Sequence, residues 1–68
     1  MEDTTIENAL KTFQDFYHKK DFATAHKILQ ENRSSIEPGL WNYNMGVVQA
    51  ELKNPALARF HFLLAEKS

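Results

Sequence analysis

The residues of this sequence best suited to proton transfer or metal ligation are three histidines, His18, His26 and His61. No two of them stand four residues apart, the spacing at which one helix face can hold a zinc ion. Cysteine is absent, which excludes disulfides, thiolate metal sites and a thiol nucleophile. Asp15, Asp21, Glu31 and Glu37 are scattered over helix faces and turns, so none reads as a paired general acid and base. Gly39 and Gly46 are isolated, and no glycine-rich loop is available to cradle a phosphate. His26 on the flank of the second helix and His61 within an apolar arc of the fourth both suit structural or interface roles. The expectation is a protein that is not an enzyme and has no cofactor and no metal.

Charge narrows the partners. Eight Lys and Arg face nine Asp and Glu, a formal net charge of −1. Nucleic-acid binding needs a basic stripe that displaces phosphate counterions. Here the one basic pair, Lys19-Lys20, adjoins Asp21 and reads as a solvated turn. No nucleic acid is expected. The opening Met1-Glu2-Asp3-Thr4-Thr5 lacks the basic and apolar regions of a signal peptide, and no apolar run approaches the roughly 20 residues of a membrane span. A cytoplasmic protein without membrane contact is expected.

The elements that must carry any site are helices. Thr4-Thr5-Ile6-Glu7 fits a capping box, with Asp3 as an alternative cap. Ile6, Ala9, Leu10, Phe13, Phe16 and Tyr17 then recur at three- and four-residue steps to about Lys19, one face of a helix. Lys20-Asp21 turns the chain, and Asp21 caps a second helix whose stripe is Phe22, Ala25, Ile28 and Leu29. The segment from Ser34 to Gly39 is the least helical, because Pro38 drives Glu37 out of the α region and Gly39 relaxes the backbone. Ile36 is its one apolar residue and should plug the core from below. A third helix is expected from about Leu40 to Leu52. Asn54-Pro55 starts a fourth that continues to the end of the chain. Turns this short make consecutive helices antiparallel neighbours.

The two interior turns superimpose at a period of thirty-three residues. Asp21 falls on Asn54, Ala25 on Ala58, Leu29 on Phe62 and Asn32 on Ala65. In the second unit, Trp41-Asn42-Tyr43-Asn44-Met45-Gly46 followed by Ala58, Phe62 and Ala65 resembles the tetratricopeptide repeat. That pattern sets an aromatic and a large apolar residue before a glycine, then an alanine–aromatic–alanine series. The first unit resembles it less, since Phe13 and Asn32 stand at glycine- and alanine-like positions. The resemblance implies one all-α domain over residues 1–68. Its first unit, degenerate, covers 4–37 and its second 39–68, with four helices in antiparallel hairpins wound as a right-handed superhelix. A plain four-helix bundle with an accidental period is the alternative.

Repeats of this kind line a groove with the first helix of each pair. Here that groove would contain Leu10, Gln14, Tyr17, His18, Tyr43, Asn44, Val47 and Ala50, where aromatic area and polar groups suit a protein or peptide partner. Leu10, Tyr17 and Val47 equally suit packing within the domain. Some tetratricopeptide domains clamp a terminal carboxylate with Lys, Asn and Arg spread over three repeats. Leu10 and Gln14 stand at two such positions and only Asn44 matches, so the resemblance does not extend to that clamp.

The fourth helix carries more apolar surface than its own hairpin requires. Leu57, Ala58, Phe60, Phe62, Leu64 and Ala65 span an arc of roughly 200°, interrupted by His61, where packing on one neighbour takes little more than about 100°. Longer arrays cover such a face with another repeat or a polar capping helix, and this sequence reaches Ser68 with neither. The expectation is a homo-oligomeric interaction scaffold that self-associates through Leu57, Phe60, His61, Leu64 and Ala65. Alternatives are a monomeric chaperone or adaptor module binding a larger heterologous protein, and an array whose third repeat lies outside this sequence.

Overall fold

The computed structural model of the chain describes residues 2–67, with side chains described for residues 8–67. Its helices are α1 (Glu2–His18), α2 (Phe22–Glu31), α3 (Pro38–Glu51) and α4 (Pro55–Lys67), with a 3-10 turn at Arg33–Ser35 and no strand among the described residues. The fold class is all-α, as the apolar periodicity implies.

The two interior turns share one backbone solution. Lys20 and Lys53 adopt φ of 66° and 67°, the only non-glycine residues with positive φ among those described. At the first turn the Lys20 N–H donates to the Tyr17 carbonyl at 2.9 Å and the Asp21 N–H to Phe16 at 2.9 Å. At the second, Lys53 donates to Ala50 at 3.2 Å and Asn54 to Gln49 at 2.9 Å. These paired bonds form the Schellman motif, which satisfies the last helical carbonyls by reversing the chain through a left-handed residue. The sequence period is therefore also a period of hydrogen bonding.

Helix starts follow from their caps. Asp21 accepts the Thr24 N–H at 3.3 Å, as expected of an N-cap. α1 is already helical at Glu2, before Thr4, so the start expected there is too late; the side chains of the proposed capping box lie outside the described ones. α3 also begins earlier than expected. Pro38 does push Glu37 out of the α region, to φ −56° and ψ 135°, but Pro38 itself is the first helical residue. The Glu37 carboxylate accepts the N–H groups of Gly39 at 2.8 Å and Leu40 at 3.1 Å, so Gly39 sits inside the first turn rather than loosening it. α2 closes on Asn32, whose amide donates to the Ile28 carbonyl at 2.8 Å.

The core is made by α1, α2 and α3. Phe13, Ala25, Leu29, Ile36, Trp41, Met45 and Val48 are buried in one cluster, and Leu10, Phe16, Tyr17, Phe22, Ile28 and Leu52 pack on it half-buried. Ile36 plugs the cluster beneath the connection, as its isolated apolar character suggested. Leu29 and Val48 are fully enclosed, and each such burial stabilises by about 1.5–3 kcal/mol. The Trp41 indole N–H donates to the Leu29 carbonyl at 2.7 Å, tying the two units together. Each helix packs principally on its neighbour in the chain, α1 on α2, α2 on α3 and α3 on α4. With extents of 36 × 29 × 15 Å, the thinnest direction holds two helix layers at the usual spacing of about 8–10 Å.

α4 is seated by a glycine. A Cβ on Gly46 would stand 2.6 Å from the Phe62 ring, so only a residue without one admits the aromatic. Ala58 is the one buried apolar residue that α4 contributes among those described.

Candidate interaction surfaces

α2 and α4 occupy equivalent places after equivalent turns, so their outer faces can be compared residue by residue. Thirty-three residues beyond Lys27, Gln30 and Glu31, all exposed, stand Phe60, Leu63 and Leu64. Thr24, half-buried, has Leu57 as its counterpart. Leu57 is 47% exposed, Phe60 54% and Leu63 47%, while Leu64 is half-buried. Where α2 meets solvent with charge and amide, α4 meets it with large apolar side chains. Each has about half its transfer free energy unrealised, on the order of 1 kcal/mol apiece.

The five residues expected to mediate self-association differ in exposure. Leu57 and Phe60 lie on the outer face. His61, Leu64 and Ala65 are half-buried. Leu63 belongs with the exposed pair, although the apolar arc read from sequence left it out. At 100° per residue it lies about 60° beyond Phe60, just past that arc. What the helical wheel could not show is which half of the arc α3 covers.

His61 points inward to a polar contact. Asn42, 8% exposed, donates its amide to the Pro38 carbonyl at 2.9 Å, which turns its carbonyl oxygen toward His61. His61 Nδ1 lies 2.9 Å from that oxygen and is therefore its donor, leaving Nε2 as an acceptor. Burial, then the nearby Arg33 and His26, hold the His61 pKa below its usual value and keep the ring neutral.

The chain matches no family model, no curated protein and no solved structure. The surfaces are therefore read from their own chemistry.

The expected groove is assembled in part. Tyr17 of α1 donates its hydroxyl to Glu51 of α3 at 3.1 Å, with His18 edge-on to it at 6.0 Å. Burial, and then this bond to Glu51, raise the Tyr17 pKa. Tyr17, His18 and Glu51 share a cavity of about 300 Å³ with Lys20 and Phe22. Tyr43 is 55% exposed and leans on Phe62 at 6.0 Å. Gln14 and Ala50 are exposed and Val47 is half-buried. Leu10 and Tyr17 pack against the core, and the Asn44 amide donates to the Leu40 carbonyl of its own helix, so these three are largely occupied within the chain. Among the described residues no group of three or more His, Asp or Glu is gathered as a metal site, and no helix is long and apolar enough to cross a membrane.

Proposed function

We propose that this chain is a tetratricopeptide-like interaction module that self-associates through the outer face of α4 and presents an α1/α3 groove to a protein or peptide. The observation that carries this reading is the contrast at equivalent positions, Lys27, Gln30 and Glu31 on α2 against Phe60, Leu63 and Leu64 on α4. The two Schellman turns thirty-three residues apart, the seat of Phe62 on Gly46 and the neighbour-to-neighbour packing support a repeat rather than a closed bundle.

The energetics favour covering that face with a second copy. Completing the burial of Leu57, Phe60 and Leu63 gains about 3 kcal/mol, against about 3–5 kcal/mol for the core of a domain this small. A homo-oligomer supplies the cover at every concentration where the protein itself is abundant. Sedimentation velocity at micromolar concentration tests the reading: a multiple of the 7.9 kDa chain mass is expected, and a well-folded monomer overturns it. Tyr43→Ala should leave that mass unchanged while weakening capture of a groove partner.

A further inference from the structure

A cavity lies between α2 and α4, apart from the one along α1 and α3. It measures about 640 Å³, within the roughly 300–1,000 Å³ of ligand sites, and its floor is the apolar part of α3. Trp41, Met45 and Leu52 form that floor, and Leu57 of α4 forms part of one wall. Nitrogen bases stand around it: His26 from α2, Arg33 from the connection and His61 from α4. Among the described residues no carboxylate lines it, in a chain whose net charge is −1.

Arg33 is held ready at this edge. Its guanidinium lies 4.6 Å over the Trp41 ring, and that ring is itself fixed by the indole bond to Leu29. Among the described residues Arg33 makes no ion pair. A guanidinium stacked on an aromatic face keeps its in-plane N–H groups free for a bidentate acceptor. His61, donating Nδ1–H to Asn42, offers Nε2 to a ligand N–H. Arg33 gives the cavity one permanent positive charge, which matches a single carboxylate better than a doubly charged phosphate.

We propose that the α2/α4 cavity binds a peptide segment carrying a large apolar side chain beside an Asp or Glu, the apolar group resting on Trp41, Met45 and Leu52 and the carboxylate on Arg33. This site is separate from the α1/α3 groove. It borders the α4 face proposed for self-association, sharing Leu57 with it, while Phe60 and Leu63 do not line it.

Trp41 is the sole tryptophan and reports on the cavity directly. A random dodecapeptide display library panned on the full chain should enrich sequences with an acid within four residues of Leu, Phe or Trp. The enriched peptides, synthesised, should shift Trp41 fluorescence. Arg33→Gln, at an exposed position, should weaken them at least tenfold. Replacing the peptide's acid by its amide should weaken binding to the native chain by a similar factor and to Arg33→Gln by much less. No enrichment, enrichment without acid, or equal affinity for Arg33→Gln each overturns the proposal.

Discussion

The two hairpins turn in the same way and are buried differently. α2 lies between α1 and α3, and its inward residues Ala25 and Leu29 are both fully enclosed. α4 packs on α3, and the equivalent pair is Ala58, 5% exposed, and Phe62, 36% exposed. Turn, cap position and inward alanine are the same in each. The burial of each of these helices is thus set by how many neighbours it has rather than by its own stripe. Leu57, Phe60 and Leu63 on α4 stay about half exposed where α2 carries polar groups, and that is what makes them informative.

If the difference in neighbours is real, the same truncation should cost unequal amounts in the two hairpins. Leu29→Ala leaves a cavity in an enclosed site and should destabilise by about 2–5 kcal/mol. Phe62→Ala removes a larger ring from a half-open site and should cost less, about 1–2 kcal/mol, because solvent refills the space. Chemical denaturation of the two variants, both as monomers, decides this; equal losses would mean that α4 is as enclosed as α2.

The outer faces can be separated by placing one charge on each. Leu63→Glu should raise the dissociation constant of the assembly about a hundredfold, since an unpaired carboxylate would be buried at the contact. Gln30→Glu, at the equivalent place on α2, should leave the sedimentation coefficient unchanged. Dissociation by both variants would move the interface away from α4.

The Gly46–Phe62 seat is particular to the second hairpin, where the first has Phe13 and Leu29. Gly46→Ala forces the Phe62 ring to shift and should destabilise by about 1 kcal/mol after the helix-propensity gain is counted. In a Phe62→Ala background the clash is gone, and the same substitution should stabilise by about 1 kcal/mol. A change of sign, read by denaturation of the four proteins, is the expected result. An unchanged sign would show that something other than the ring excludes a Cβ.

Much of this arrangement was legible in the sequence. Asp21 as a cap, Asn54-Pro55 as a restart, the apolar steps of α1 and the plug at Ile36 are local signals, and each appears where its chemistry requires. The left-handed turns at Lys20 and Lys53 were not legible, because that conformation is announced by Gly or Asn and here falls on lysine. The early start of α3 was missed because Pro38 serves two rules at once, breaking the residue before it and opening the helix after it. The Arg33–Trp41 cavity depends on contacts between three helices, and no spacing along one helix encodes it.

The lysine turns give a paired test in which the hairpins should agree. A left-handed L-residue costs about 1–2 kcal/mol, partly offset by the greater freedom glycine has when unfolded. Lys20→Gly and Lys53→Gly should each stabilise by roughly 0.5–1 kcal/mol, by the same amount, and additively since they lie in separate turns. Unequal gains would show that the two turns carry different strain despite their common hydrogen bonds.

The smallest expected effect is a pH dependence confined to the second hairpin. His61 stands where α2 carries Ile28, so the first hairpin has no titrating group at this position. Burial first, and then Arg33 and His26, disfavour the imidazolium and place the folded pKa below the unfolded value of about 6.5. As pH falls through that value the unfolded chain takes up the proton before the folded one does. The stability contributed by neutral His61 is therefore fully present above the unfolded pKa, is lost as pH falls toward the folded pKa, and settles to a constant deficit below both. His61→Gln keeps an amide donor for Asn42 and removes the titration. Its unfolding free energy should fall less steeply than that of the native chain between neutral and mildly acidic pH. An unchanged slope would remove His61 from the pH dependence and leave the His61–Asn42 contact as packing alone.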